Sequence, residues 1–254
     1  MRHKLATLSD FFARYRFFEK ETTEVRYEEF TDRFQSFRKG FDPFVAKLAE
    51  LRKRETPYFN VFDILNIRHY EEKVHTPFLY HLLTPNASHE QGSLFIDTYF
   101  RMVLKMDITF QEMDDYAIYQ ELSGEHGRID LLINYRHQGH DHLVVIENKI
   151  YAADQPGQLA RYHYHCCQEG YASEDRIHIY YLTLHKTLPC RDSLHYLLSV
   201  DGRTAIDHRI NNDQINLIGY RNDIIPWLQH CREKVSSEKV NHLLFQYIQT
   251  ISWL

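Results

Sequence analysis

Two short apolar segments of this sequence contain acidic residues at positions where a buried strand usually has none. They span residues 127–133 and 144–150, and the polar segment 137–141 between them contains a glycine. A polar, glycine-containing segment between two strand-like segments predicts a hairpin turn. If the turn centres on Gln138 and Gly139, then Asp130 lies opposite Glu147, with Cβ atoms about 4.5–5.5 Å apart.

Alternation of side chains along the two strands predicts one face that bears Asp130, Glu147 and Lys149. Arg128 would then lie opposite Lys149. Two carboxylates at this spacing repel each other unless a cation lies between them, so the pattern predicts a metal site. An alternative stays open, in which Arg128 and Lys149 bridge the two carboxylates in a cross-strand ladder of ion pairs.

The composition is that of an ordinary globular protein. The chain has 254 residues, of which 43% are hydrophobic and 26% charged, and a formal net charge of −5. A negative net charge argues against a broad basic surface for nucleic acid, although charge can be segregated by face. The four cysteines have no paired spacing, which favours reduced thiols. Without an apolar signal core or a run of ~20 apolar residues, we expect a soluble, cytoplasmic protein without a membrane partner.

Hydrophobic periodicity divides the chain into a helical first part and a mixed second part. Aromatic residues recur at intervals of three and four residues between Phe11 and Phe37, which predicts helices over residues 8–56 that pack on the rest of the domain. Instead of packing on the rest of the domain, these helices could form a dimer interface or could contact nucleic acid through arginines such as Arg33. The second part has three strands in a meander, then a helix and a strand, and finally a strand with closing helices. The predicted helices are 68–83, 92–105, 154–169, 221–232 and 237–252, and the predicted strands are 116–122, 128–136, 142–149, 177–184 and 215–220.

Four polar residues outside the strands could support such a site. Gln158 and Tyr162 are four residues apart in a predicted helix and therefore share a face. Glu72 and His75 are three residues apart near the start of an earlier predicted helix and could also point together. An exposed helix face is the alternative for Glu72 and His75.

The motifs together resemble the PD-(D/E)xK nuclease superfamily. They are Gly-Arg-Ile-Asp at residues 127–130, Ile-Glu-Asn-Lys-Ile at 146–150 and the segment 154–162 that contains Gln158 and Tyr162. The Glu72 helix and the segment 85–89 resemble a poorly characterised bacterial branch of that superfamily. The resemblance covers roughly residues 68–184. Ile129, where the family often has proline, is a common variation before the aspartate.

The resemblance implies a fold of the α/β class, in the broad sense that includes α+β folds, with helices packed on a mixed sheet. It would have a restriction endonuclease-like core at residues 67–254, closed by C-terminal helices. Residues 1–66 would form a helical N-terminal extension packed on that core. In such a core Asp130 and Glu147 would hold a divalent cation, Mg²⁺ or Mn²⁺, with help from the main-chain carbonyl of Asn148. Lys149 would orient and activate the attacking water.

The remaining roles that the resemblance implies concern the substrate. Glu72 would assist the metal site directly or through water, and Gln158, Tyr162 and Arg128 would support the site and contact the nucleic acid. The implied function is a Mg²⁺-dependent hydrolysis of phosphodiester bonds, in DNA more than in RNA, by a chain that could form a homodimer. Two other functions stay open: a non-catalytic nucleic-acid-binding or regulatory module on the same fold, and a helical interaction protein that acts through residues 1–56.

A zinc site is weakly indicated by the frequent histidines. His163, His165, Cys166 and Cys167 lie within five residues, but residues two apart on a helix do not face each other. No second ligand pair follows at the spacing of a zinc finger. Nothing in the sequence places a base beside Cys166, so the pattern does not favour a cysteine nucleophile.

Overall fold

A computed structural model describes residues 2–56, 58–124, 127–168, 170, 172–201 and 203–254, with side chains in the first helix described from residue 10 to residue 54. The chain divides into two compact units, Met1–Phe59 and Asn60–Leu254. Within its described residues, the first unit consists of one long helix and a short segment that follows it. The second contains every strand that the structure describes.

The first helix, α1, runs without interruption over 54 residues, from Arg2 to Glu55. The sequence predicts helices in this part, and the structure joins them into one. Pro43 lies inside it. Its large apolar side chains between Phe11 and Leu51 are exposed. Two exposed ion pairs at i,i+4 spacing follow the helix surface, Lys20 with Glu24 and Arg38 with Asp42.

A five-stranded mixed sheet forms the centre of the second unit, which confirms the predicted fold class. Counted along the chain, the first, second and third strands pair antiparallel. The fourth strand pairs in parallel with the third, and the seventh pairs in parallel with the fourth. The strands of this sheet are β1 (Asp115–Gly124), β2 (Gly127–His137), β3 (His140–Lys149), β4 (Ile177–Thr183) and β7 (Ile215–Gly219), and a separate hairpin consists of β5 (His195–Val200) and β6 (Arg203–Arg209).

The β2–β3 hairpin turns at the residues that the sequence predicts. His137 pairs with His140, and the two residues between them have positive φ angles, 52° at Gln138 and 73° at Gly139. Positive φ at both central residues is typical of the type I′ turn, whose twist matches that of the strands. The pairing extends to Leu131 opposite Ile146. The next pair in this register is Asp130 and Glu147.

Among the described residues, the five helices predicted after residue 67 are present to within a few residues of their predicted bounds, and three of them begin or end with a π-helical turn. The predicted helix 68–83 starts as a π turn at Glu71, and the predicted helix 154–169 starts at Gln158. The β5–β6 hairpin was not predicted because its side chains are mostly exposed and lack a buried face. The helices are α2 (Val61–Ile64), a π turn (Glu71–His75) with α3 (Thr76–Leu83), α4 (Leu94–Tyr99) with a π turn (Phe100–Leu104), α5 (Gln158–Gln168), a π turn (Tyr220–Ile224) with α6 (Ile225–Lys234), and α7 (Glu238–Ser252).

Two hydrophobic clusters cover the two faces of the sheet. The larger contains alternate residues of β3, such as Ile146, together with α3, α4, α6 and α7. The smaller contains Val145 and packs against α5, whose Leu159 and Cys166 are buried. Because side chains alternate along a strand, Glu147 lies on the α5 side with Val145. Within the described residues, none of the helices has the length and apolar character that crossing a membrane requires.

Candidate active site

Glu147 lies near the end of the central strand β3, and its side chain is buried. Its Oε1 accepts a hydrogen bond of 2.7 Å from Gln158 Nε2 and lies 2.7 Å from Lys149 Nζ. Its Oε2 is also buried but has no hydrogen-bond partner among the described residues. A buried carboxylate oxygen without a partner is costly, so this atom is the strongest indication of a missing positive group.

Asp130 lies on β2 beside Glu147 and is partly buried. Its Oδ2 accepts a hydrogen bond of 2.8 Å from the main-chain N–H of Asn148. This bond ties the aspartate to the residue between Glu147 and Lys149. The structure therefore brings together the three side chains that the hairpin pattern predicts on one face.

The electrostatics of the site favour a bound cation. Burial, and then the negative charge of Asp130, raises the pKa of Glu147 to about 8. Burial also raises the pKa of Asp130 to about 6, against the opposite effects of the Asn148 N–H and Lys149. For Lys149, burial lowers the pKa, but the carboxylates of Glu147 and Asp130 outweigh it and the net shift is upward. Lys149 therefore stays charged, while the two acids need a further positive charge to ionise together at neutral pH.

The oxygen ligands at this position suit a hard divalent cation. Asp130 and Glu147 each offer a carboxylate, and Asn148, whose main-chain carbonyl would be a third ligand, is the residue between Glu147 and Lys149 on β3. Carboxylate and carbonyl oxygens are the ligands that Mg²⁺ and Mn²⁺ prefer. Within the part of the chain that the structure describes, no group of three or more His, Cys, Asp or Glu side chains could hold a metal ion. A cation here would therefore depend on two carboxylates, the main chain and water or substrate.

Gln158 and Tyr162 form a hydrogen-bonded chain from α5 to the site. Gln158 Nε2 donates to Glu147 Oε1 and, at 2.9 Å, to the Tyr162 hydroxyl. The Tyr162 hydroxyl in turn donates to the main-chain carbonyl of Arg128 at 2.5 Å. The shared helix face that the sequence predicts is therefore present. Both side chains are buried, so their observed contacts orient Glu147 and β2.

Arg128 and Glu72 pair with each other at the edge of the site. The Arg128 guanidinium contacts the Glu72 carboxylate, and its Nε lies 2.7 Å from Glu121 Oε2. Arg128 and Glu72 are both about half exposed, whereas burial raises the pKa of Glu121. Lys149 pairs with Glu147 on its own strand, so among the described residues Arg128 and Lys149 do not bridge Asp130 and Glu147 in a cross-strand ladder.

His75 points away from Glu72 into the core. Its Nδ1 lies 2.9 Å from the Tyr247 hydroxyl, and its Nε2 lies 2.8 Å from the main-chain carbonyl of Arg68. Burial lowers the pKa of His75 to about 4. The expectation that Glu72 and His75 point together is therefore wrong, because residues 71–75 form a π turn rather than an α-helical one.

Glu71 is a residue of the site that the sequence pattern did not indicate. Its Oε1 accepts hydrogen bonds from the main-chain N–H groups of Ile150, Tyr151 and Ala152, at 2.6, 2.5 and 3.0 Å. These three residues directly follow Lys149. Glu71 thus fixes the end of β3, and the only signal for it was its position next to Glu72.

The Asn148 side chain connects the site to the other face of the sheet. Its Nδ2 donates to Thr76 Oγ1 at 3.1 Å, and its Oδ1 accepts from the Tyr220 hydroxyl at 2.9 Å. All three residues are buried. Thr76 and Tyr220 lie far from Asn148 in the sequence, so no local pattern could have indicated them.

The histidines and cysteines that cluster in the sequence lie on α5, where His163 contacts His208 of the β5–β6 hairpin. His163 Nδ1 lies 3.0 Å from His208 Nε2 and 3.7 Å from Cys167 Sγ. Burial raises the pKa of the Cys166 thiol to about 12, which opposes a role as a nucleophile.

Comparison with known proteins agrees with this geometry. Residues 59–249 match the family model of the PD-(D/E)XK nuclease superfamily. The comparisons with curated proteins and with solved structures gave no match. The matched range contains the whole five-stranded sheet and every residue of the site described above. Members of this superfamily are, in general, nucleases that use divalent metal ions, and this chain belongs to the PD-(D/E)XK nuclease superfamily.

Proposed function

We propose that this protein is a Mg²⁺- or Mn²⁺-dependent nuclease that hydrolyses phosphodiester bonds, in DNA more than in RNA. The observation that carries the proposal is the buried Glu147 Oε2, which has no hydrogen-bond partner among the described residues. A divalent cation held by Glu147, Asp130 and the Asn148 carbonyl would satisfy this oxygen and balance the repulsion between the two acids.

A bound divalent cation would supply Lewis-acid chemistry, making a nearby water more acidic and stabilising negative charge on the phosphate. In our proposal Lys149 orients the attacking water. Its raised pKa keeps the ammonium charged, so it donates a hydrogen bond and stabilises the developing hydroxide rather than accepting a proton. Its ion pair with Glu147 keeps Nζ within reach of the carboxylates.

Four further residues have supporting roles in the proposal. Gln158 and Tyr162 hold the Glu147 carboxylate and β2 in place. Arg128 binds a phosphate of the substrate when it exchanges its partner Glu72 for the nucleic acid, because an exposed ion pair is weak. Glu72 then assists the metal site through water.

The four cysteine thiols are free, which fits the reducing cytoplasm as the compartment in which this proposed nuclease acts.

The test is cleavage of supercoiled plasmid, linear duplex, single-stranded DNA and RNA in the presence of Mg²⁺ or Mn²⁺. We expect cleavage by the wild type, its loss in excess EDTA, and its loss in Glu147→Gln and Lys149→Gln. Lys239→Gln removes the same charge from an exposed position on α7 and should leave cleavage unchanged.

Two outcomes would overturn the proposal. Equal cleavage by the wild type and both site variants would mean that a contaminating nuclease is responsible. No cleavage of any substrate, together with nucleic-acid binding that does not need metal, would instead favour the non-catalytic binding module.

A further inference from the structure

The second half of α1 has an uninterrupted heptad pattern that the proposed nuclease function does not use. Apolar residues follow one another at alternating intervals of three and four from Tyr27 to Leu51, which are the a and d positions of a coiled coil. All of these side chains are exposed in the structure. We call them the α1 stripe. It begins with Tyr27 and Phe30, continues with Phe34, Phe37, Phe41 and Phe44, and ends with two leucines at positions 48 and 51.

The α1 stripe is too regular and too large to be scattered surface residues. More than three consecutive heptads with apolar a and d positions are typical of a helix that pairs with another helix. Its aromatic rings contact each other along the helix. Phe30 and Phe34 stack with centroids 6.1 Å apart, and Phe37 and Phe41 stack at 5.4 Å.

The positions that flank the α1 stripe are basic. The flanking g positions include Arg26, Arg33 and Lys47, the flanking e positions include Arg38 and Arg52, and neither flank contains an acidic residue. The acidic residues of this half occupy b, c and f positions on the opposite side. Arg38 pairs with Asp42 at 3.7 Å, but both are exposed and such a pair is worth little.

These charges disfavour a second copy of the chain as the partner. In a parallel pair the g position of one helix lies beside the next e position of the other, so Arg33 would meet Arg38 and Lys47 would meet Arg52. In a fully overlapping antiparallel pair Arg33 would meet Lys47, and Arg38 would meet its own counterpart. Like charges at these positions destabilise a coiled coil in either orientation.

We propose that the α1 stripe binds an amphipathic helix of another protein, in which apolar a and d residues are flanked by glutamate or aspartate. Opposite charges at the g and e positions set the choice and orientation of partner in coiled coils. The proposal does not depend on the nuclease activity, since none of its residues belongs to the site around Glu147.

The test uses the full chain and two synthetic four-heptad peptides with the same isoleucine and leucine core. One peptide has glutamate and the other lysine at every e and g position. We expect the full chain to bind the glutamate peptide roughly 100-fold more tightly than the lysine peptide, in isothermal titration calorimetry at low salt. The double substitution R33E/R38E should weaken binding of the glutamate peptide by at least about tenfold, or about 1.4 kcal/mol.

Lys39→Glu is the matched control, because Lys39 lies at an f position on the far side of the helix. It should leave peptide binding unchanged, and circular dichroism should show the same helix content in all variants. Equal affinity for the two peptides would overturn the proposal. So would a stable homodimer in light scattering that Phe34→Asp and Phe37→Asp convert to a monomer, or binding of single-stranded DNA that is lost in R33E/R38E.

Discussion

The amide of Gln158 holds the buried carboxylate of Glu147, with 2.7 Å between Nε2 and Oε1. Lys149 lies at the same distance from the same oxygen. Both contacts use Oε1 and therefore leave Oε2 for a cation. A side chain of α5 thus decides which way the central carboxylate of the sheet faces.

Gln158→Leu should impair the site without removing any proposed ligand. The leucine keeps the volume of the side chain but cannot donate to Glu147 Oε1, so the carboxylate loses its fixed orientation. Loss of a residue that orients a metal ligand typically lowers affinity or activity by about 10–100-fold. We expect a loss of this size in Mg²⁺-dependent cleavage and in Mn²⁺ affinity. Gln168→Leu, at the exposed end of the same helix, should leave both near the wild-type values, and equal activity of the two variants would contradict the role of Gln158.

Glu71 and Glu72 should differ in their effect on stability although they are neighbours of the same type. Glu71→Ala removes the acceptor of three main-chain N–H groups after β3, so we expect the free energy of unfolding to fall by about 2 kcal/mol. Glu72→Ala removes one exposed ion pair with Arg128 and should cost less than about 1 kcal/mol. Urea denaturation measures both values. A smaller loss in Glu71→Ala than in Glu72→Ala would show that Glu71 does not anchor this segment.

Binding of Mn²⁺ should release protons and become tighter as the pH rises from 6 to 8. The pKa of Glu147 is raised to about 8 and that of Asp130 to about 6, so protons compete with the cation in this range. A raised acid pKa also means that the metal-free folded state loses stability as the pH rises towards 8. We expect the affinity to increase by up to about tenfold per pH unit. Calorimetry in two buffers of different ionisation enthalpy measures the proton release. An affinity for Mn²⁺ that stays constant between pH 6 and 8 would contradict the raised pKa values of Glu147 and Asp130.

His75 should make the protein less stable in acid. Its pKa is lowered by burial to about 4 in the folded state, whereas an unfolded histidine titrates near 6.5. Between these values the unfolded histidine binds a proton that the folded one does not, so the contribution of His75 to stability falls as the pH falls through this window, by up to about 3 kcal/mol, while the contributions of Glu147 and Asp130 have the opposite sign. In urea titrations from pH 7 to 4.5, His75→Gln should lower the slope of the unfolding free energy against pH by up to one proton. His69→Gln, at an exposed position, should not change it, and an identical slope in wild type and His75→Gln would exclude the effect.

The β2–β3 hairpin shows how far local sequence information reaches. Gln138 and Gly139 determine a two-residue turn, and the period of two along each strand then determines the register. From that register the proximity of Asp130, Glu147 and Lys149 follows directly. The shared face of Gln158 and Tyr162 likewise follows from helical spacing alone.

Contacts between distant segments could not be predicted in this way. Glu71 and Glu72 look equivalent in the sequence, and the π turn decides that Glu71 reaches the end of β3. Asn148 meets Thr76 and Tyr220, each 72 residues away along the chain. Local sequence preferences account for the turn, the strand register and the helix faces, because each of these depends on residues that are near neighbours in the chain. The tertiary structure alone decided which buried polar atoms find partners and that Glu147 Oε2 does not, because that depends on how separate elements pack.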